Sequence, residues 1–170
     1  SKTERPIATA TGRHLNIIDL YADLPDHIFP RGFPYSARSG YRRSGVGATT
    51  TREVKFSLGL WKGVFDVNAI DKISGPPWSH PDAELISESV MIPPGALVSV
   101  CSMNMAFRRE LVPAVYQLPM SVEVMPGWSV DRYGDIWGGF ILKALMDVRG
   151  DAFAVGGPMI RHVKEGKHDR

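Results

Sequence analysis

The chain has 170 residues, with 20 lysines and arginines against 18 acids, a balance that leaves no electrostatic footprint for a nucleic-acid partner. Its one cysteine, Cys101, excludes a disulfide framework within the chain and fits a reducing, cytoplasmic setting. No apolar run approaches the ~20 residues of a transmembrane helix, and 44% apolar with 22% charged residues is the composition of a single globular domain with a core.

Residues 1–13 are polar and read as a flexible lead, ahead of a domain over 14–163. HLNIIDLY (14–21) is rich in strand formers and reads as a strand or strand end. Prolines at 25, 30 and 34 and glycines at 32, 40, 45 and 47 make 22–52 a long loop system, of the kind that tends to carry function. VKFSLGLWKGVFDV (54–67) reads as a strand, and 70–85, broken by Pro76, Pro77 and Pro81, as a surface excursion. Ala96–Cys101 is apolar on both faces and is the candidate central strand. RRELVPAVY (108–116) reads as a short helix with Pro113 in its first turn or breaking it. The clearest element is GDIWGGFILKALMDVRG (134–150). Its Ile136, Trp137, Phe140, Ile141, Ala144, Leu145 and Val148 form one helical stripe expected to face the core, and Gly150 supplies a C-terminal stop. AFAVGGPMIRHV (152–163) reads as two short strands around a Gly-Gly-Pro turn, and 164–170 as a solvated basic tail. Strands alternating with helices make the fold class α/β, a mixed sheet flanked by helices.

Several residues have chemistry worth placing. Asp135 stands at a helix start, where a carboxylate either caps orphan N–H groups or accepts a hydrogen bond from a sugar-like hydroxyl and serves as a base. Arg132 and Tyr133 precede it, and an arginine fork suits phosphate oxygens as well as surface acids. Arg31 and Arg38, with Arg42 and Arg43, load the 22–52 loop with cations that a diphosphate would attract. Trp61, at an expected strand end, is the better stacking platform, and Trp137 is the tryptophan expected in the core. Asn104 follows a strand and can bond a hydroxyl or cap a turn. His162 offers an imidazole to a metal or serves structure. Cys101, in an apolar strand, reads as an inert core thiol. No acyl-transfer triad, zinc spacing or phosphate loop with its lysine is present in the sequence.

Five segments, in order, resemble the reversibly glycosylated polypeptide/UDP-arabinopyranose mutase family. They are RGFPYSARSG (31–40), SLGLWKGVFDVNA (57–69), CSMNMAFRREL (101–111), DRYGDIWGG (131–139) and, more weakly, GGPMIRHVK (156–164). The resemblance implies the C-terminal portion of a GT-A-like nucleotide-sugar domain that uses a UDP-sugar for sugar-ring mutation or for glycosyl transfer, including transfer to itself. It implies Asp135 and Arg38 as catalytic, Arg31, Arg132, Tyr133, Trp61 and Asn104 as substrate-binding, and His162 as a ligand of manganese or magnesium shared with residues outside this chain. Self-association or a homologous subunit is the implied protein partner. Two departures stand out: the family's aspartate-rich metal motif has no counterpart here, and its paired acids are Gly134-Asp135 in this chain. They motivate the alternative of a non-catalytic assembly subunit that kept the fold.

Overall fold

A computed structural model describes residues 3–24, 28–74, 79–117, 119, 121–130 and 133–163. In chain order the strands begin with β1 (Arg5–Thr9), β2 (His14–Leu15), β3 (Gly45–Thr50) and β4 (Val54–Val64). Helix α1 (Ala69–Ser74) follows, then β5 (Ser79–His80), β6 (Ser89–Ile92), β7 (Leu97–Val98) and β8 (Met105–Phe107). A hairpin of β9 (Val122–Met125) and β10 (Trp128–Val130) precedes α2 (Gly134–Arg149) and β11 (Ala152–His162).

The fold is mixed α/β. Seven strands form one sheet in the order β3-β1-β6-β11-β4-β5, with β8 also on β4. Its spine is the parallel pair β4 and β11, which run together from Val54–Ala152 to Gly63–His162. On the far side of β11, β6 pairs antiparallel, and β1 continues the sheet parallel to β6. The strand pairs of the spine read as near-continuous apolar runs because both faces are covered: Phe56, Leu58, Leu60 and Trp61 of β4 and Phe153, Ala154 and Val155 of β11 are all buried. Phe153 stacks on Phe56 at a ring separation of 4.6 Å. Tyr21 joins this core from the loop region, its hydroxyl donating to the Trp61 carbonyl at 2.7 Å while it accepts the Trp61 N–H at 3.2 Å.

Several expectations give way to this arrangement. Residues 5–9, expected within a flexible lead, form β1 between β3 and β6. The run 14–21 is two strand residues followed by a 3-10 turn, Ile17–Leu20, because Asn16 caps that turn through its side-chain oxygen and the Ile18 N–H. The 22–52 loop contains a 3-10 turn at Tyr35–Ala37 and the edge strand β3. Within the 70–85 excursion lies the short helix α1. The expected central strand at 96–101 shrinks to β7, paired only with β2, and the central positions go to β6 and β11. Residues 109–111 make a 3-10 turn, not an α-helix. The Gly-Gly-Pro segment does not break 152–162 into two strands; β11 runs through it with a slip in register between Gly156 and Ile160. The tail 164–170 lies outside the described residues.

Helix α2 forms where its periodicity places it, and Gly150 ends it in the left-handed conformation, φ 72°. Its orientation departs from the expected one: of the expected stripe Ile136 is buried and Phe140 half-buried, and the other five residues are exposed. Ile136, Gly139, Leu142, Lys143 and Met146 face inward, while Trp137, Ile141, Leu145 and Val148 face solvent. Two devices fix this choice. Gly139 lies so close to Val100 that a Cβ there would meet Val100 Cγ2 at 2.5 Å. Lys143, fully buried, is satisfied by Asp147 at 2.5 Å and the Pro93 carbonyl at 3.2 Å.

Candidate functional site

Helix α2 leads through Gly150 into the start of β11, so its N-terminus lies at the carboxyl end of the β4–β11 pair. That is the end at which α/β sheets place their ligands. Three segments converge there: the turn after β4, the start of α2 and the loop that opens at Pro30.

Asp66 stands two residues beyond β4 and its backbone carbonyl accepts the Arg31 N–H at 2.7 Å. The Arg31 guanidinium then spans two carboxylates. Its Nε donates to Asp66 Oδ2 at 2.7 Å, and its Nη1 and Nη2 fork onto Asp135 at 3.3 and 2.7 Å. Lys72 of α1 adds a second cation to Asp66 at 3.3 Å, and the Cys101 thiol faces the same oxygen as Arg31 Nε at 3.8 Å. Asp135 also accepts the Ile136 N–H at 2.9 Å and the Ser102 N–H at 3.4 Å. It sits in the first turn of α2, where the helix dipole favours a negative charge; the N-cap itself is Tyr133, which makes no side-chain cap. Asn68 secures the loop from below, accepting the Gly32 N–H at 3.1 Å and donating to the Phe33 carbonyl at 3.4 Å. Gly32 has to be glycine: its φ is 88° and a Cβ would meet Ile136 of α2 at 2.6 Å.

The electrostatics follow from this geometry. Burial pushes the Asp66 carboxyl up, but the hydrogen bond and charge of Arg31, helped by Lys72, outweigh it and hold the group below the ordinary carboxylate range. Burial works against the Arg31 charge as well, and the two carboxylates more than offset it, so the guanidinium stays firmly protonated. Burial raises the Cys101 thiol, which keeps it a poor nucleophile, as expected of a core thiol.

The expected site residues separate into those the fold gathers and those it disperses. Arg31 and Asp135 are brought into direct contact. Arg31 is therefore committed to two acids rather than open to a diphosphate. Tyr133 adjoins them, 44% exposed, its carbonyl accepting the Trp137 N–H. Arg132 lies outside the described residues. Arg38 is set apart: its Nη1 and Nη2 fork onto Asp71 at 2.8 and 2.7 Å, and its plane rests against the rings of Tyr35 and Phe29. Arg43 is bound to the Tyr21 and Leu24 carbonyls, so Arg31, Arg38 and Arg43 hold the chain together instead of lining one anion cradle. Trp61 corrects an expectation outright. It lies inside an 11-residue strand, not at its end, and at 1% exposure its ring belongs to the core. Trp137 corrects another, being 58% exposed. Asn104 lies against the backbone of Gly59 and donates to the carbonyls of Leu60 and Pro158, at 3.1 and 2.8 Å, which staples β4 to β11.

His162 closes β11, and its Nδ1 lies 2.7 Å from the Val64 carbonyl, leaving Nε2 as the nitrogen free for another ligand. Among the described residues no three His, Cys, Asp or Glu side chains converge on a common point. These residues alone do not constitute a divalent-metal site. Asp66, Asn68, Asp71 and Lys72 were not singled out from the sequence. The signal that points to them is positional: a polar Asp-Val-Asn run directly beyond the carboxyl end of a buried strand.

No helix of the described residues is long and apolar enough to cross a membrane. The family model described as reversibly glycosylated polypeptide matches residues 8–169. Similar proteins include UDP-arabinopyranose mutase 3 of Arabidopsis thaliana, 34% identical over 149 residues, which is 87% of this chain and 36% of that protein. Probable UDP-arabinopyranose mutase 1 of Pisum sativum is 32% identical over the same shares. Probable UDP-arabinopyranose mutase 4 of Arabidopsis thaliana is 31% identical over 91% of this chain and 38% of its own length. The chain thus spans a little over a third of the curated relatives it matches. With the ordered segments quoted above lying along the β4 spine, the Arg31 loop and the start of α2, the chain belongs to the reversibly glycosylated polypeptide family.

Proposed function

We propose that this chain supplies the sugar-facing part of a UDP-sugar mutase, with Asp135 as the acid–base residue. The observation that carries the reading is the Arg31 bridge: one guanidinium fixes the Asp135 carboxylate at the ligand-binding end of the sheet while anchored behind on Asp66. A carboxylate held in one orientation by a two-nitrogen fork can accept a hydrogen bond from a sugar hydroxyl and take its proton without first reorganising. Arg31 holds its negative charge in place, and the Ser102 N–H offers a further fixed donor. The names of the relatives favour ring mutation over transfer. So does Arg38: a guanidinium with both terminal nitrogens on Asp71 and two aromatic rings against it is poorly placed to accept a sugar. A UDP-sugar is the substrate of this reading. A manganese or magnesium ion, if one takes part, would draw on His162 Nε2 and on ligands beyond the described residues.

The test is to follow interconversion of UDP-arabinopyranose and UDP-arabinofuranose chromatographically in the protein that carries this chain, with UDP and UDP-arabinopyranose binding measured by calorimetry. Asp135→Asn is expected to lower turnover by about 100-fold or more while the protein still unfolds cooperatively. Full turnover in that variant would reduce Asp135 to a residue of the helix start, and absence of any UDP-sugar binding by the parent would remove the reading altogether.

A further inference from the structure

Three arginines from separate parts of the sequence are gathered at the amino end of the β4–β11 pair, the opposite end from Asp135. Arg5 comes from β1, Arg52 from the turn between β3 and β4, and Arg108 directly follows β8. They line one cavity of about 520 Å³, together with Thr3, Thr51 and Glu53. Three cations thus face a single acid across it. That acid is already engaged: Glu53 accepts Arg108 Nη2 at 2.6 Å and lies 3.9 Å from Lys55 Nζ.

Arg5 and Arg52 pair with no carboxylate among the described residues. Arg5 Nη1 donates to the Thr3 carbonyl at 3.1 Å, and Arg52 Nη2 to the carbonyl of Gly150, which ends α2. These bonds aim each guanidinium and leave most of its N–H donors unused. Arg5 is also half-buried. Drawing like charges around one concavity costs Coulomb energy that a bound anion would return. A guanidinium forks onto phosphate oxygens through two parallel N–H bonds, and the Thr3 and Thr51 hydroxyls, bonded to no described residue, add further donors. No aromatic ring lines the cavity, so nothing in it stacks on a nucleobase or selects one.

A second cavity of about 500 Å³ meets the first at Thr3, Arg5 and Val54. Its charges are reversed in balance, Glu4 and Glu88 against Arg5, which confines an anion to the first. Its Ser57 and Ser89 hydroxyls, unbonded by described residues, suit the hydroxyls of a group attached to that anion.

We propose that the cavity between Arg5, Arg52 and Arg108 is a phosphate-binding site, taking a phosphate or diphosphate anion that is either free or carried on a sugar. It is independent of the sugar chemistry assigned to Asp135, at the other end of the sheet.

The test uses the protein that carries this chain, with inorganic pyrophosphate as the probe. Calorimetry should show binding that Arg5→Met and Arg52→Met each weaken by about 10-fold or more. A hexose phosphate run beside inorganic phosphate separates the two sources: tighter binding of the hexose phosphate identifies a phosphorylated sugar, and equal binding identifies the free anion. Footprinting of the wild type keeps the test decisive if a variant fails to fold. Pyrophosphate at ten times its Kd should slow phenylglyoxal modification of Arg5 and Arg52 by about 10-fold, read by peptide mass spectrometry, and leave the exposed Arg13 unaffected. A wild type that binds no pyrophosphate below about 1 mM, binding unchanged in both folded variants, or full reactivity of Arg5 and Arg52 under saturating pyrophosphate would each overturn the proposal.

Discussion

Two carboxylates of this chain are buried to nearly the same degree and behave in opposite ways. Asp19 is 8% exposed and Asp66 is 9% exposed. Asp66 is held by cations, Arg31 and Lys72, and its carboxyl is pulled below the ordinary range despite burial. Asp19 is held chiefly by neutral donors: the Asn16 side-chain amide at 3.1 Å, the Tyr41 hydroxyl at 2.6 Å and the Ser44 N–H at 2.7 Å. Burial raises the Asp19 carboxyl, and those hydrogen bonds only partly counter it. Satisfying a buried acid and neutralising it are therefore different tasks. The Asp19 knot, with Tyr41 and Ser44, ties the loop to the first turn of the domain. The Arg31 knot keeps Asp66 charged and ties it to Asp135 at the carboxyl end of the β4–β11 pair.

The largest expected effect comes from removing the bridge. Arg31→Met leaves Asp66 and Asp135 facing each other with only Lys72 in compensation, and should cost about 3–5 kcal/mol in urea unfolding. Turnover should fall with it, since Asp135 loses the fork that orients it. Asp66→Asn keeps an acceptor for Arg31 but loses the charge, and about 2–3 kcal/mol is expected at neutral pH. Asp19→Asn preserves the bonds from Tyr41 and Ser44 but sets its amide against that of Asn16, for about 1–2 kcal/mol. A smaller change in Asp19→Asn than in Asp66→Asn is what the comparison requires; the reverse order would break it.

The same pair has opposite pH signatures. The Asp66 carboxyl is lower in the folded protein than in the unfolded chain. Its contribution is fully present above the unfolded value of about 4 and is lost as pH falls through the folded value. The Asp19 carboxyl is higher in the folded protein, so its ionisation withdraws stability as pH rises from about 4 through the folded value, and acidification restores it. Urea midpoints measured from neutral pH down to about pH 3 should show the wild-type advantage over Asp66→Asn shrinking and that over Asp19→Asn growing. Parallel curves would refute the distinction. The smallest effect is Tyr41→Phe, which removes one donor to Asp19 for about 0.5–1.5 kcal/mol. In the wild type the Tyr41 phenol, pushed up to about 12 by burial and by Asp19, should stay protonated in an absorbance titration until strongly alkaline pH.

Much of the site was legible before the fold was known. The resemblance segments hold Arg31, Asp66, Asn104 and Asp135, and the acid at a helix start is a local signal that needs no tertiary information. The contact between Arg31 and Asp135, 104 positions apart, has no local signal at all. Nor does the loss of Trp61 to the core, since a Gly-Leu-Trp run reads alike at the end of a strand and inside one. Asp71 escaped notice because its partner Arg38 comes from a loop 33 residues away.

Helix α2 marks the division most clearly. Its periodicity, the terminating Gly150 and the acid in its first turn are set by side chains within a few residues of each other, and so the sequence alone determines that a helix runs from about 134 to 149. Which face turns inward was left to the tertiary structure. Both faces are apolar enough to be buried, and a helix with two apolar faces has no preferred orientation until something packs against it. Gly139, small enough for Val100 to press on the backbone, and Lys143, able to reach the Pro93 carbonyl and Asp147, fit only one of the two orientations. That choice aims Asp135 at Arg31 and leaves Trp137, Ile141 and Leu145 uncovered, because close approach and polar satisfaction depend on neighbours distant in the sequence.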